Sequence, residues 1–146
     1  MTKEPGEKID SLANAVMGAA IEVHRILGPG FLECVYQAAL AVELSQRGIS
    51  FEREKHVAVD YKGHSVGDGR LDLFVGSCLV VELKTVESLA PIHTAQVLSY
   101  LKTLRLPLGL LINFNASLLK NGIKRVVFSE PLGDLGVLAV RRGNAG

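Results

Sequence analysis

The sequence predicts an α/β (α+β) fold, a mixed central β-sheet with helices on its faces in the order ααβββ(β)αββ. Three observations predict it. Apolar residues recur at helical spacing through the first third of the chain; strand-like alternation and short apolar runs follow; and one further helical stretch separates the last two strands from those before them. Antiparallel strands therefore come first, and a helical crossover leads to the rest of the sheet.

Each element has its own signal. From Glu7 to Leu27 the residues Ile9, Leu12, Ala13, Val16, Ala20, Val23 and Leu27 mark one helix face. "GPG" at 28–30 ends that helix, because glycine permits left-handed geometry and proline cannot continue it. A second helix is expected from Phe31 to Arg47, with Leu32, Val35, Tyr36, Ala39, Leu40 and Leu44 on one side and Gly48 closing it. "FEREKHVAVDYKG" alternates at Val57, Val59 and Tyr61 as a half-buried strand does. "KGHSVGDG" reads as a turn with room for a short return strand, and two strands flank Gly76–Cys78. A helix begins after Pro91, "PLGLLINF" is a wholly apolar strand of central type, and "IKRVVFS" is the last strand. The chain reads as one domain over 1–146, with a core at 8–128 and looser segments at 1–6 and 130–146.

Composition narrows the function. The 146 residues are 48% hydrophobic with a net charge of +1, which argues for a packed interior and against a strongly basic nucleic-acid coat, though not against a local basic groove. Runs such as "LGLLINF" are far shorter than the ~20 residues of a membrane span. The charged start "MTKEPGEKID" has no apolar signal core, so a soluble, cytoplasmic protein is expected. Cys34 and Cys78 form no CxxC pair and read as reduced thiols in or near the core. A dinucleotide-binding fold and a phosphate-loop NTPase are disfavoured, since neither glycine motif is present.

The chemistry lies in "RLDLFVGSCLVVELKT", Arg70 to Thr85. Alternation puts Val80, Glu82 and Lys84 on one face of a strand whose other face is Leu79, Val81 and Leu83. Burying a lone charge costs several kcal/mol or more unless it is paired or metal-bound. Asp72 lies ten residues before Glu82 across a hairpin. The two meet on one face if Phe74 pairs with Val80 and Val75 with Leu79, leaving the three-residue loop Gly76-Ser77-Cys78; a two-residue loop would set them on opposite faces, so a shared site calls for the odd loop or a bulge. Two carboxylates and an ammonium at a strand end suit phosphodiester hydrolysis with a hard cation such as Mg²⁺ or Mn²⁺.

Asp72 followed by "Glu82-Leu83-Lys84" resembles the PD-(D/E)XK nuclease signature, with "RLD" where the named motif has proline before the aspartate. "QVLSY", Gln96 to Tyr100, resembles the QxxxY element of RecB-like members, and "GFLECVY", Gly30 to Tyr36, resembles the GxxExxY motif of a small bacterial and archaeal family in that superfamily. The likeness runs over about residues 8 to 128. It implies a restriction-endonuclease-like fold and a metal-dependent nuclease acting on DNA. Asp72, Glu82, the Leu83 carbonyl and Glu33 would hold Mg²⁺ or Mn²⁺, and Lys84 would be the catalytic lysine. Gln96 and Tyr100 would line the substrate side, with Tyr36 and His24 in supporting places. Cutting both strands of a duplex with one site per chain would favour a homodimer, and a larger protein complex is also open.

Blander readings stand beside these. Glu82 and Lys84 alone would be an edge-strand ion pair, and Glu33 suits the first turn of any helix. Tyr36 and Tyr100 fit a core with a polar tip, Gln96 a solvated helix face, and His24 a structural hydrogen bond. The rival function is a nucleic-acid-binding or interaction module that keeps the fold without catalysis. Hydrolysis of another phosphate ester is a third.

Overall fold

The computed structural model describes residues 6–129. Helix α1 spans Glu7–Leu27 and α2 Glu33–Gln46; strands β1 Phe51–Tyr61, β2 His64–Val75 and β3 Leu79–Lys84 follow. Helix α3, Pro91–Leu104, leads to β4 Leu108–Asn113, a 3₁₀ turn at Leu119–Gly122 and β5 Ile123–Val127. The sheet order is β1-β2-β3-β4-β5. All neighbours are antiparallel except β3 and β4, whose parallel pairing requires the α3 crossover. This is the mixed, helix-flanked sheet that the sequence predicts. The expectations for 1–5 and 130–146 lie outside the described residues.

Both sheet faces are covered. Ala13, Val16, Ala20 and Val23 of α1 pack with Tyr36, Leu40 and Leu44 of α2 on Leu73, Val75, Leu79, Val81, Leu83, Leu110 and Ile112. On the other face Val97 and Leu101 of α3 meet Val57, Leu71, Phe74, Val80 and Leu111. Central strands β3 and β4 are therefore buried on both sides, which is why β4 reads as a continuous apolar run and why the charges of β3 stand out. No helix among the described residues is long and apolar enough to cross a membrane.

Four local expectations are corrected. Helix α2 starts at Glu33, not Phe31: the Tyr36 hydroxyl accepts the Phe31 N–H at 3.1 Å and donates to the Gly28 carbonyl, holding 28–32 as a turn. Gly28 enters that turn at φ +70, which a side chain would resist. The buried face of α2 is Tyr36, Gln37, Leu40, Ala41 and Leu44, leaving Leu32, Val35 and Cys34 exposed. The segment "HSVGDG" is the first half of the long β2 rather than a turn, because Lys62 and Gly63 at positive φ already reverse the chain. That hairpin runs past its helical cover, so Val59 and Tyr61 are exposed while Val57 is buried.

Candidate active site

The loop between β2 and β3 is Gly76-Ser77-Cys78, with Phe74 opposite Val80 and Val75 opposite Leu79. The ladder continues to Leu73 opposite Val81 and stops there. At the next step side chains replace it. The Asp72 N–H donates to Glu82 Oε2 at 3.0 Å, and the Leu83 N–H donates to Asp72 Oδ2 at 2.8 Å. Two carboxylates thus occupy the gap where the strands part, each fixed by the backbone beside the other.

Their electrostatics follow from that position. Glu82 is 8% exposed. Desolvation first, then repulsion from Asp72, pushes its pKa up to about 8; the Asp72 N–H and Lys84 pull it part of the way back, and Glu33 adds to the rise. Asp72 is raised too, chiefly by desolvation, against the opposing bond from Leu83 N–H and the charge of Lys84. Glu33, in the first turn of α2, is raised by burial and then by Asp72, so it belongs to the same field. Lys84 is half-buried one residue past Leu83 and makes no ion pair among the described residues; its charge acts on all three acids through space. Among the described residues no three His, Cys, Asp or Glu side chains are gathered as a ready metal set. The structure brings Asp72 and Glu82 together, with Glu33 and Lys84 near enough to shift them.

Of the other named residues, Tyr100, Tyr36 and His24 tie the frame together and Gln96 does not. The Tyr100 hydroxyl accepts the Arg70 N–H at 3.2 Å and donates to the Arg70 carbonyl at 3.3 Å, bracing β2 two residues before Asp72. Gly69 makes room for it, since a Cβ there would lie 2.6 Å from the Tyr100 ring. Gln96, one turn earlier on α3, is exposed. Tyr36 is fully buried, stacked on Phe114 with ring centroids 4.5 Å apart, and bolts the turn that leads into Glu33. His24 Nε2 sits 2.8 Å from the Ala116 carbonyl, joining α1 to the chain beyond β4.

Three residues escape the sequence reading. Asn113, buried at the end of β4, accepts the Val86 and Asn115 N–H groups and donates to the Val86 carbonyl, while the Phe114 N–H donates to the Lys84 carbonyl. Together these fix the exit of β3 beside Lys84. The lone polar residue in "LGLLIN" was an available signal. Gln37 is buried on α2 and donates to Glu54, which stands at φ +55 inside β1. Neither gives a pattern that periodicity could find.

A sheet of this topology, carrying an aspartate and an E-x-K on adjacent strands where they separate, has the layout of the restriction-endonuclease-like nucleases. The chain belongs to the PD-(D/E)XK nuclease superfamily, whose family model matches residues 10–126. Searches of curated proteins and of solved structures found no match.

Proposed function

We propose that the protein is a metal-dependent nuclease that hydrolyses phosphodiester bonds of DNA, and that it lies in the GxxExxY branch of the superfamily through Gly30, Glu33 and Tyr36. The observation that carries this reading is the Asp72–Glu82 pair, a half-buried and a buried carboxylate side by side, with Lys84 two residues beyond Glu82 on the strand. Such a pair is repulsive when ionised and becomes favourable when a cation joins it, so the donor set suits a hard divalent ion. Asp72, Glu82, Glu33 and the Leu83 carbonyl would hold Mg²⁺ or Mn²⁺. When bound, the cation supplies positive charge that favours loss of a proton from water and offsets charge on the phosphoryl oxygens. Lys84 orients the attacking water or stabilises the negative charge that develops on phosphate. Tyr100 holds the strand of Asp72 in place, and Gln96 offers an exposed amide on the substrate side.

The test is cleavage of labelled single- and double-stranded DNA and RNA with Mg²⁺ or Mn²⁺. Cleavage by the wild-type chain and none by folded Lys84→Ala is expected; equal rates for the two would remove Lys84 from the chemistry. A second reading, a binding module without catalysis, is favoured by the absence of a ready three-carboxylate set among the described residues. Calorimetric titration with Mn²⁺ separates the two: the enzyme binds it and Asp72→Ala does not.

A further inference from the structure

Two-residue spacing along a strand should keep side chains on one face, yet Leu73 and Leu71 pack in opposite cores. The partner strand does the same: Phe51 packs with the α1/α2 cluster and Val57 with the α3 cluster. Both reversals span one place. Arg53 pairs with Leu73 and Lys55 with Leu71, and between them Glu54 stands across from Asp72 without a register pairing. Glu54 is at φ +55, a conformation that an L-residue with a long side chain avoids inside a strand. Asp72 is thus released from the ladder on both sides, towards Glu54 on one and Glu82 on the other.

The Glu54 side chain is tied in two directions. Oε2 accepts from Gln37 Nε2 at 2.9 Å, and Oε1 faces Arg70 Nε at 3.3 Å. Gln37 lies one helical turn after Glu33 and is itself fixed by Arg53 Nε at 3.1 Å. Arg70 lies two residues before Asp72, and its backbone is gripped by Tyr100 of α3. A continuous path therefore runs from the helix of Glu33, through Glu54, to the strand of Asp72 and on to Tyr100.

We infer that Glu54 is a positioning residue of the nuclease site, joining the helix that carries Glu33 to the strand that carries Asp72. The inference rests on the nuclease reading above. Groups that orient metal ligands from outside the ligand set typically alter metal affinity by about 10–100-fold when removed. Backbone strain at Glu54 gives a variant that separates positioning from folding: Glu54→Gly keeps the left-handed backbone without penalty and loses both ties.

The experiment measures Mn²⁺ affinity by calorimetry and thermal unfolding in chelator for wild type, Glu54→Gly, Glu54→Gln and Glu52→Ala. Glu54→Gly is expected to unfold within about 3 °C of wild type. Its Mn²⁺ affinity should be weaker by about tenfold. Glu54→Gln, which keeps one acceptor, should fall between, and Glu52→Ala, an exposed carboxylate on the same strand, should bind as wild type. Wild-type affinity in folded Glu54→Gly would overturn the inference and leave the nuclease reading standing. Should Glu54→Gly unfold, Glu54→Gln decides alone: undiminished affinity overturns the inference, and a weakened one supports it. No Mn²⁺ binding by the wild-type chain would overturn both.

Discussion

Replacing Glu82 by glutamine should make the metal-free protein more stable at pH 8. Glu82 has an ordinary carboxyl pKa near 4.5 when unfolded and about 8 when folded, raised by desolvation and by Asp72. Between those values the folded state binds more protons than the unfolded state, so stability is fully present below pH 4.5 and is lost as pH rises towards 8. Asp72 and Glu33 are shifted in the same direction and add to the slope. Full linkage over that interval corresponds to about 5 kcal/mol. Water entering the gap offsets part of it, leaving about 2 kcal/mol between pH 5 and pH 8. For a domain of this size that is a fall in Tm of about 8 °C. Glutamine can still accept the Asp72 N–H, and its amide can donate to the Asp72 carboxylate, so Glu82→Gln should flatten the profile while abolishing Mn²⁺ binding. The assay is thermal unfolding in chelator at half-unit pH steps. A wild-type Tm that stays level or rises from pH 5 to pH 8, or an equal slope in Glu82→Gln, would refute the reasoning.

Two further outcomes follow from the frame of the site. Asn113→Ala removes the acceptor of the Val86 N–H and the closer of the two donors to its carbonyl, and should destabilise by about 2 kcal/mol, read as a lower denaturant midpoint, with activity falling as the exit of β3 loosens. Gly69→Ala should displace Tyr100 from Arg70, because the new Cβ would sit 2.6 Å from the ring; a crystal structure with Tyr100 unmoved would contradict this.

The main lines of the fold were legible because two periodicities carry them. Ala13, Val16, Ala20 and Val23 mark α1 at helical spacing, and Leu79 to Leu83 mark a strand buried on both sides. The three-residue loop was legible for a chemical reason: Asp72 and Glu82 share a face only with an odd loop or a bulge, and the odd loop is the one found. The exposed side of α2 was not, since Leu32 and Val35 look like core and are turned outward by the Tyr36 bolt. Glu54 was least legible of all. Charged residues in "FEREK" look like an ordinary wet strand, and nothing in their spacing announces a left-handed backbone or a reversal of the pleat. Gln37 is hidden similarly, as a polar residue buried only because Glu54 and Arg53 meet it from another element.

The sheet is laid down in the same order as the chain, each strand settling beside its predecessor. During synthesis the first three strands can zip together through short hairpin closures, and β4 alone must wait for a helix to form and fold back. The acidic couple on β2 and β3 therefore comes together before its second flank exists. A nascent chain stalled before Leu108 would hold both carboxylates with the β3 edge still bare, the stage at which a chaperone or a second chain has most to bind.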